Sequence, residues 1–201
     1  MTPQRRQNII NALNKRQGNL TLVLENVFDP HNISAVMRSC DAVGVQELYI
    51  LNTRIAPHRY WGSKSSRSAN KWLTIHQFTN AEECFTEVRK KYSRVLTTQL
   101  SETSVSLYEV DFVESIALVF GNECFGVSED LQKFADGSFV IPQVGMIKSL
   151  NISVACAVTL YEAFRQKNLA GHYEQGSLPR EEYNKLYKEW VSEENFLEMQ
   201  Q

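Results

Sequence analysis

Six strand-sized runs of apolar and β-branched residues decide what this chain can fold into. They are LTLVLE (20–25), ELYIL (47–51), WLTIHQF (72–78), RVLTTQ (94–99), SIALVFG (115–121) and SFVIP (138–142). Between them lie stretches with helical spacing of apolar residues: SAVMRSCDAV (34–43), AEECFTEVRKKY (81–92), SEDLQKFA (128–135) and NISVACAVTLYEAFRQKN (151–168). Short runs alternating with helical patterns predict an α/β domain, a mostly parallel sheet with helices on both faces. Two further helices flank it. TPQRRQNIINALNKR (2–16) has Ile9, Ile10 and Leu13 at helical spacing, with Gly18 past its end. LPREEYNKLYKEWVSEENFLEM (178–199) is charged, starts near Pro179, and spaces Leu186, Trp190 and Leu197 roughly a heptad apart, a face suited to docking on a neighbour. The expected division is a basic helical extension (1–18), the α/β domain (19–170) and a C-terminal helical extension (171–201). GSKSSRSAN (62–70) reads as a mobile loop.

At 201 residues the chain has the length of one domain with extensions. Its uninterrupted apolar runs are too short to span a membrane, so no membrane association is expected. Cys40, Cys84, Cys124 and Cys156 are scattered without a C-x-x-C pair, which points to reduced, buried thiols and a cytoplasmic location. His31, His58, His76 and His172 are equally dispersed, and no metal site is expected.

The formal net charge of −2 hides a segregated distribution. Residues 1–24 contain Arg5, Arg6, Lys15 and Arg16 and no acid. Residues 48–81 contain Arg54, Arg59, Lys64, Arg67 and Lys71, again with no acid. The remainder is acidic. Two cationic patches suit a polyanion, because phosphate neutralisation is local, although charge runs also form ordinary solvated faces. The basic start is read as part of the fold, not as a transit peptide, since LTLVLENV follows it at once.

Three places can carry chemistry. In FDPHNISAVMRSCDAVG, Asn32 or Ser34 can cap a helix whose Ile33, Val36, Met37 and Cys40 form its buried stripe. Arg38 points away from that stripe, beside Ser34 and Asp41, and spacing alone favours a surface pair with Asp41. In LVFGNECFGVSEDL a strand runs into Gly121, Asn122, Glu123 and Gly126, either a plain tight turn or a place where a ligand approaches backbone. Neither a P-loop nor a G-x-G-x-x-G fingerprint is present. In VIPQVGMIKSLNIS a proline, a glycine and the triplet Ser149, Leu150 and Asn151 crowd the start of the most apolar helix. Ser149 or Asn151 caps that helix, and the free N–H groups there serve either ordinary capping or a polar ligand.

Taken in order, NISAVMRSCDAVG, LVFGNECFGVSEDL and VIPQVGMIKSLNISVACAVTLYEAFRQK resemble the three signature motifs of SPOUT-class RNA ribose 2′-O-methyltransferases. The match is closest to the TrmH type, which acts on guanosine-18 in the D-loop of tRNA, and it extends over nearly the whole chain. The resemblance implies a C-terminal deep trefoil knot, an exception to the rule that chains avoid knots. It also implies S-adenosylmethionine as cofactor, a homodimer, and RNA, most readily tRNA, as partner. By resemblance Thr98, Gly121, Asn122, Ile141, Met146 and Leu150 line the cofactor pocket. Asn32, Arg38, Glu123, Ser149 and Asn151 match the catalytic positions. RNA would cross Arg5, Arg6, Lys15 and Arg16, then Arg59, Lys64, Arg67 and Lys71, with Arg165 and Lys167 near the knot. Tyr60 and Trp61 offer stacking faces, although Trp61 is equally a packing residue. The C-terminal helix is acidic, so subunit docking through Trp190 and Leu197 is expected of it in place of RNA contact. Alternatives are methylation of rRNA or of the tRNA wobble ribose, a non-catalytic RNA-binding protein, and a flavodoxin-like enzyme; the missing phosphate loop disfavours the last.

Overall fold

All six runs are strands, and a seventh joins them. The computed structural model describes residues 1–58, 61 and 69–198, the side chains of 175 and 193–198 excepted. The strands are β1 (Gln17–Glu25), β2 (Val45–Leu51), β3 (Thr74–Phe78), β4 (Arg94–Thr98), β5 (Val105–Ser106), β6 (Ile116–Phe120) and β7 (Gly137–Val140). They form one sheet in the order β3-β2-β1-β6-β4-β7-β5, parallel at every pairing. The helices are α1 (Pro3–Leu13), α2 (Pro30–Ala42), α3 (Ala81–Lys91), α4 (Glu129–Gln132), α5 (Ile152–Leu169), α6 (His172–Gln175) and α7 (Arg180–Glu198).

The central strands are apolar at nearly every position because both faces of the sheet are covered. Leu20, Leu22 and Leu24 of β1 and Ile116, Leu118 and Phe120 of β6 meet α2 and α5. The alternate residues, Val23, Ala117 and Val119, meet Cys84, Phe85 and Val88 of α3 and Leu131 of α4. Among the described residues no helix is long and apolar enough to cross a membrane.

Several expectations are corrected. β5 has only two residues, too few to show a period, and exists because Val105 and Ser106 pair with Phe139 and Val140. The stretch SEDLQKFA makes one helical turn and stops. Phe134 stacks on Phe85 with ring centroids 4.7 Å apart, and Arg89 grips both carboxylate oxygens of Asp136 at 2.8 and 2.9 Å, drawing the chain into β7. α1 ends at Leu13, so Gly18 lies inside β1 and not at a helix end. Trp190 and Leu186 are not open to another subunit: both are buried against Ile9 and Leu13 of α1, and Trp190 meets Trp72 edge to face. The Leu197 side chain, the 62–68 part of the expected mobile loop, Arg59, Tyr60, Lys64 and Arg67 lie outside the described residues. Trp61 packs against the core. Cys40, Cys84 and Cys156 are buried free thiols, whereas Cys124 is exposed.

One polar cluster sits behind the sheet. Glu47 of β2 is buried and accepts from Lys91 Nζ (2.6 Å), Tyr92 Oη (3.0 Å) and Tyr49 Oη (3.1 Å), with His76 Nε2 at 3.4 Å. Burial alone would raise its pKa. The hydrogen bonds and charges of His76 and Lys91 overturn that and hold it at about 2, against 4.5 ordinarily. A carboxylate depressed on folding stabilises the fold above its unfolded pKa and loses that contribution as pH falls. The expected outcome is a loss of about 3 kcal/mol between pH 4.5 and 2. Urea denaturation across this range checks it: Glu47→Gln should be less stable than the parent at pH 7, and the gap should close towards pH 2.

Candidate active site

The loops leaving β4, β6 and β7 meet at the carboxyl edge of the sheet around a cavity of about 530 Å³. This edge is where open α/β sheets bind ligands. Thr98, Gln99 and Leu100 come from the first loop, Gly121 to Val127 from the second, and Ile141, Gln143, Lys148, Ser149 and Leu150 from the third; Ile152 and Ala155 of α5 close the base.

The second loop is held shut by its own backbone. Asn122 and Gly126 exchange N–H···O bonds of 3.2 and 3.0 Å, and Gly126 has φ +68°. Asn122 Oδ1 accepts from the backbone of Cys124 (2.8 Å) and Phe125 (2.7 Å). A side chain at Gly121 would put its Cβ 1.8 Å from the Gly126 carbonyl carbon, so only glycine fits. The far end is pinned by the buried Glu25 of β1, whose Oε2 accepts from Ser128 N at 2.8 Å. The third loop is built differently: among the described residues, 143–150 have no backbone hydrogen-bond partner, so their main-chain groups are available to a ligand.

α2 begins earlier than expected. Asp29 is its cap, accepting from His31 N at 2.8 Å with Pro30 at the first helical position, and Ser34 Oγ donates back to Pro30 O. Capping by Asp29 leaves the Asn32 side chain free for other partners. Asn151 does cap α5, accepting from Ser153 N at 2.9 Å. Its Nδ2 donates to Asn32 Oδ1 (3.2 Å), and Asn32 Nδ2 donates to Glu123 Oε1 (2.7 Å). Three residues from three separate motifs thereby form one hydrogen-bonded chain at the cavity.

The structure brings Thr98, Gly121, Asn122, Ile141 and Leu150 together in the cavity wall, along with Glu123 and Ser149. Met146 is not there; it is 98% exposed on the third loop. The Asn122 side-chain oxygen is occupied by its own loop and offers a ligand little. Arg38 is exposed on α2, outside the wall, without a side-chain partner among the described residues. It does not pair with Asp41, because Arg16 takes that carboxylate at 2.5 Å. Sequence reasoning missed Gln99, Leu100, Gln143 and Lys148, whose only signal is their position after a strand end.

Two residues expected on the RNA surface are buried instead. Arg16 is 2% exposed, donates to Val45 O as well as Asp41, and lies over the Trp190 ring, joining α1, α2 and α7. Lys167 is fully buried, donates to Asn19 Oδ1 (2.9 Å) and Val113 O (3.3 Å), and burial pushes its pKa down to about 8. Arg165 is exposed but held by Glu162 at 2.7 Å, and Arg6 donates to Tyr187 Oη at 2.6 Å. Arg5 and Lys15 are exposed on and just after α1. Among the described residues no cluster of three or more His, Cys, Asp or Glu could hold a metal ion.

The cavity pairs apolar walls (Leu100, Phe120, Ile141, Leu150, Ile152) with free main-chain groups, and its volume is in the range of small-molecule sites. That combination fits a nucleoside-bearing ligand such as S-adenosylmethionine.

Comparison with known proteins agrees. The model of the SpoU rRNA methylase family matches residues 19–161. A tRNA (guanosine(18)-2′-O)-methyltransferase of Thermus thermophilus is 40% identical, the match covering 94% of this chain and 97% of that one. The crystal structure of the A. aeolicus TrmH/SpoU tRNA modifying enzyme superposes with a TM-score of 0.87 at 37% identity, covering 95% of this chain and 96% of the other. An AdoMet-bound rRNA methyltransferase from Sinorhizobium meliloti gives a TM-score of 0.67 at 25% identity, over 78% and 59% of the two chains.

Proposed function

The chain belongs to the SpoU rRNA methylase family, and we propose from that premise that it transfers a methyl group from S-adenosylmethionine to a ribose 2′-hydroxyl of RNA, with guanosine-18 of tRNA as the target. The observation that carries this reading is the Asn151–Asn32–Glu123 chain beside the cavity. When bound, S-adenosylmethionine supplies an electrophilic methyl group already activated by its sulfonium. The protein therefore has to hold the donor, align the hydroxyl and ease proton loss.

Thr98, Gly121, Ile141 and Leu150, with the free main chain of 143–150, hold the cofactor. Glu123 Oε2 has no partner among the described residues and can accept from the ribose hydroxyl, while Asn32 fixes the other oxygen. Arg38 is a poor base, since a guanidinium presents donors and no acceptor. It acts as a clamp on a backbone phosphate of the RNA. Ser149 shapes the wall beside Leu150.

A homodimer accompanies this activity. Val154, Val158 and Tyr161 line an exposed apolar face of α5, and Val144, Met146 and Ile147 stand exposed on the third loop; a second copy would cover both. Residues 19–170 form the catalytic domain, and its last third is threaded as a trefoil knot. Support for the threading is that β7 inserts between β4 and β5 after β6 has been laid on the far side of β4. Free thiols and an RNA substrate fit a cytoplasmic location.

The test is methyl transfer from labelled cofactor to total tRNA and rRNA, followed by mapping of the modified ribose. Label on the D-loop guanosine of tRNA is the expected result; label only in rRNA, or none, overturns the assignment. RNA affinity should fall steeply with salt, as phosphate contacts require. Lys167→Met should leave that salt slope unchanged, because Lys167 is buried, whereas Lys15→Ala should lower it by up to about 0.9 if that lysine meets a phosphate.

A further inference from the structure

The two asparagines of the active-site chain each have a donor end and an acceptor end, so each has two orientations of similar shape. Only one combination completes the chain, and its direction is decided at the helix cap. Asn151 Oδ1 faces two donors of the same residue, Ser153 N at 2.9 Å and Ser153 Oγ at 2.5 Å. A backbone N–H cannot accept, so the Asn151 oxygen must turn towards α5 and its NH2 must turn towards Asn32. Asn32 then presents its oxygen to Asn151, at 3.2 Å, and its own NH2 to Glu123, at 2.7 Å. The carboxylate end accepts only. With a donor-only group at one end and an acceptor-only group at the other, flipping either amide sets like ends against each other.

We propose that Ser153 is a positioning residue for the methyl-transfer reaction: its backbone N–H sets the direction of the Asn151 amide, and its hydroxyl, as a second donor to the same oxygen, holds that amide still and, through Asn32, steadies Glu123. This rests on the reading of the site as a ribose methyltransferase centre and deepens it. Ser153 does not itself line the cavity, and it acts through the chain. Its neighbour Ile152 is buried and reaches the cavity, so residue 153 sits where the helix cap and the site share a turn. Removing the hydroxyl leaves Asn151 Oδ1 with a single donor, and the amide gains freedom to rock.

Ser153→Ala should lower kcat about tenfold, the weight of one hydrogen bond, with KM for cofactor and tRNA unchanged. Ser153→Thr, which keeps the hydroxyl, should restore kcat to within about twofold. Side-chain amide resonances of Asn32 and Asn151 in the 15N-labelled protein should shift or broaden in Ser153→Ala and return in Ser153→Thr. Wild-type kcat in Ser153→Ala, an equal loss in both variants, or unmoved Asn32 and Asn151 resonances would each overturn the proposal. Should the parent protein methylate no RNA, the functional reading fails instead, and the resonances still decide whether the Ser153 hydroxyl steadies the chain.

Discussion

Asn32→Asp is expected to reduce methyl transfer about 100-fold at neutral pH while leaving the fold intact. The substitution is isosteric, and the α2 cap is Asp29, so the helix keeps its start. What changes is the group facing Glu123. An NH2 donating across 2.7 Å becomes a second carboxylate oxygen at the same place. Two carboxylates that close cannot both be ionised, so one proton is shared and the pair's pKa rises. Above that pKa the two groups repel and Glu123 leaves its position. Below it, the introduced carboxyl group carries the proton, donates to Glu123 and imitates the lost amide. The kcat of the variant should accordingly recover as pH falls through the pair's pKa, where the parent's does not. A pH–rate profile with the melting temperature measured alongside checks this. A variant within threefold of the parent, or one with a parallel profile, would remove Asn32 from the orienting chain.

The second large effect concerns backbone. Gly121→Ala would place a methyl group 1.8 Å from the Gly126 carbonyl carbon, 1.9 Å from its oxygen and 2.1 Å from Val127 N. All three are main-chain atoms, so no side chain can rotate away. The Asn122–Gly126 bridge must open, and the cavity wall moves with it. Cofactor affinity should drop by roughly 100-fold, read by titration calorimetry, because a displacement of this size at a ligand site has that order of effect. β6 lies wholly before Gly121 and remains packed, so the protein should still fold. Gly137→Ala, at the start of β7 and outside the cavity wall, is the matched control. Its would-be Cβ meets only Leu96 Cδ2, at an ordinary 3.5 Å, and its affinity should stay within about twofold of the parent. Equal effects from the two alanines would mean that the cavity is not the cofactor's.

Much of this site could be found from spacing along the chain. Gly121 and Gly126 bracket the polar turn because backbone closure leaves no room for Cβ at one and demands positive φ at the other. Asn151 caps α5 because a short polar side chain must answer the first N–H groups of an apolar helix. The charges misled. Arg16 and Lys167 sit in basic or amphipathic stretches that pattern reading places in solvent, yet both are buried. Arg38 stands about one helical turn before Asp41 in α2, the spacing of a surface pair, but a guanidinium 25 residues away reaches that carboxylate first.

The division follows from the range of the forces involved. Strand positions, the parallel α/β class and the glycine turn rest on contacts between residues close in sequence and on apolar runs that must leave water, so the linear chain already contained them. The order β3-β2-β1-β6-β4-β7-β5, the burial of Arg16 and Lys167, and the bonds joining Asn32 to residues 91 and 119 positions away arise only when distant elements pack. A side chain's partners across such distances depend on which surfaces the sheet brings together, and that is a property of the folded molecule alone.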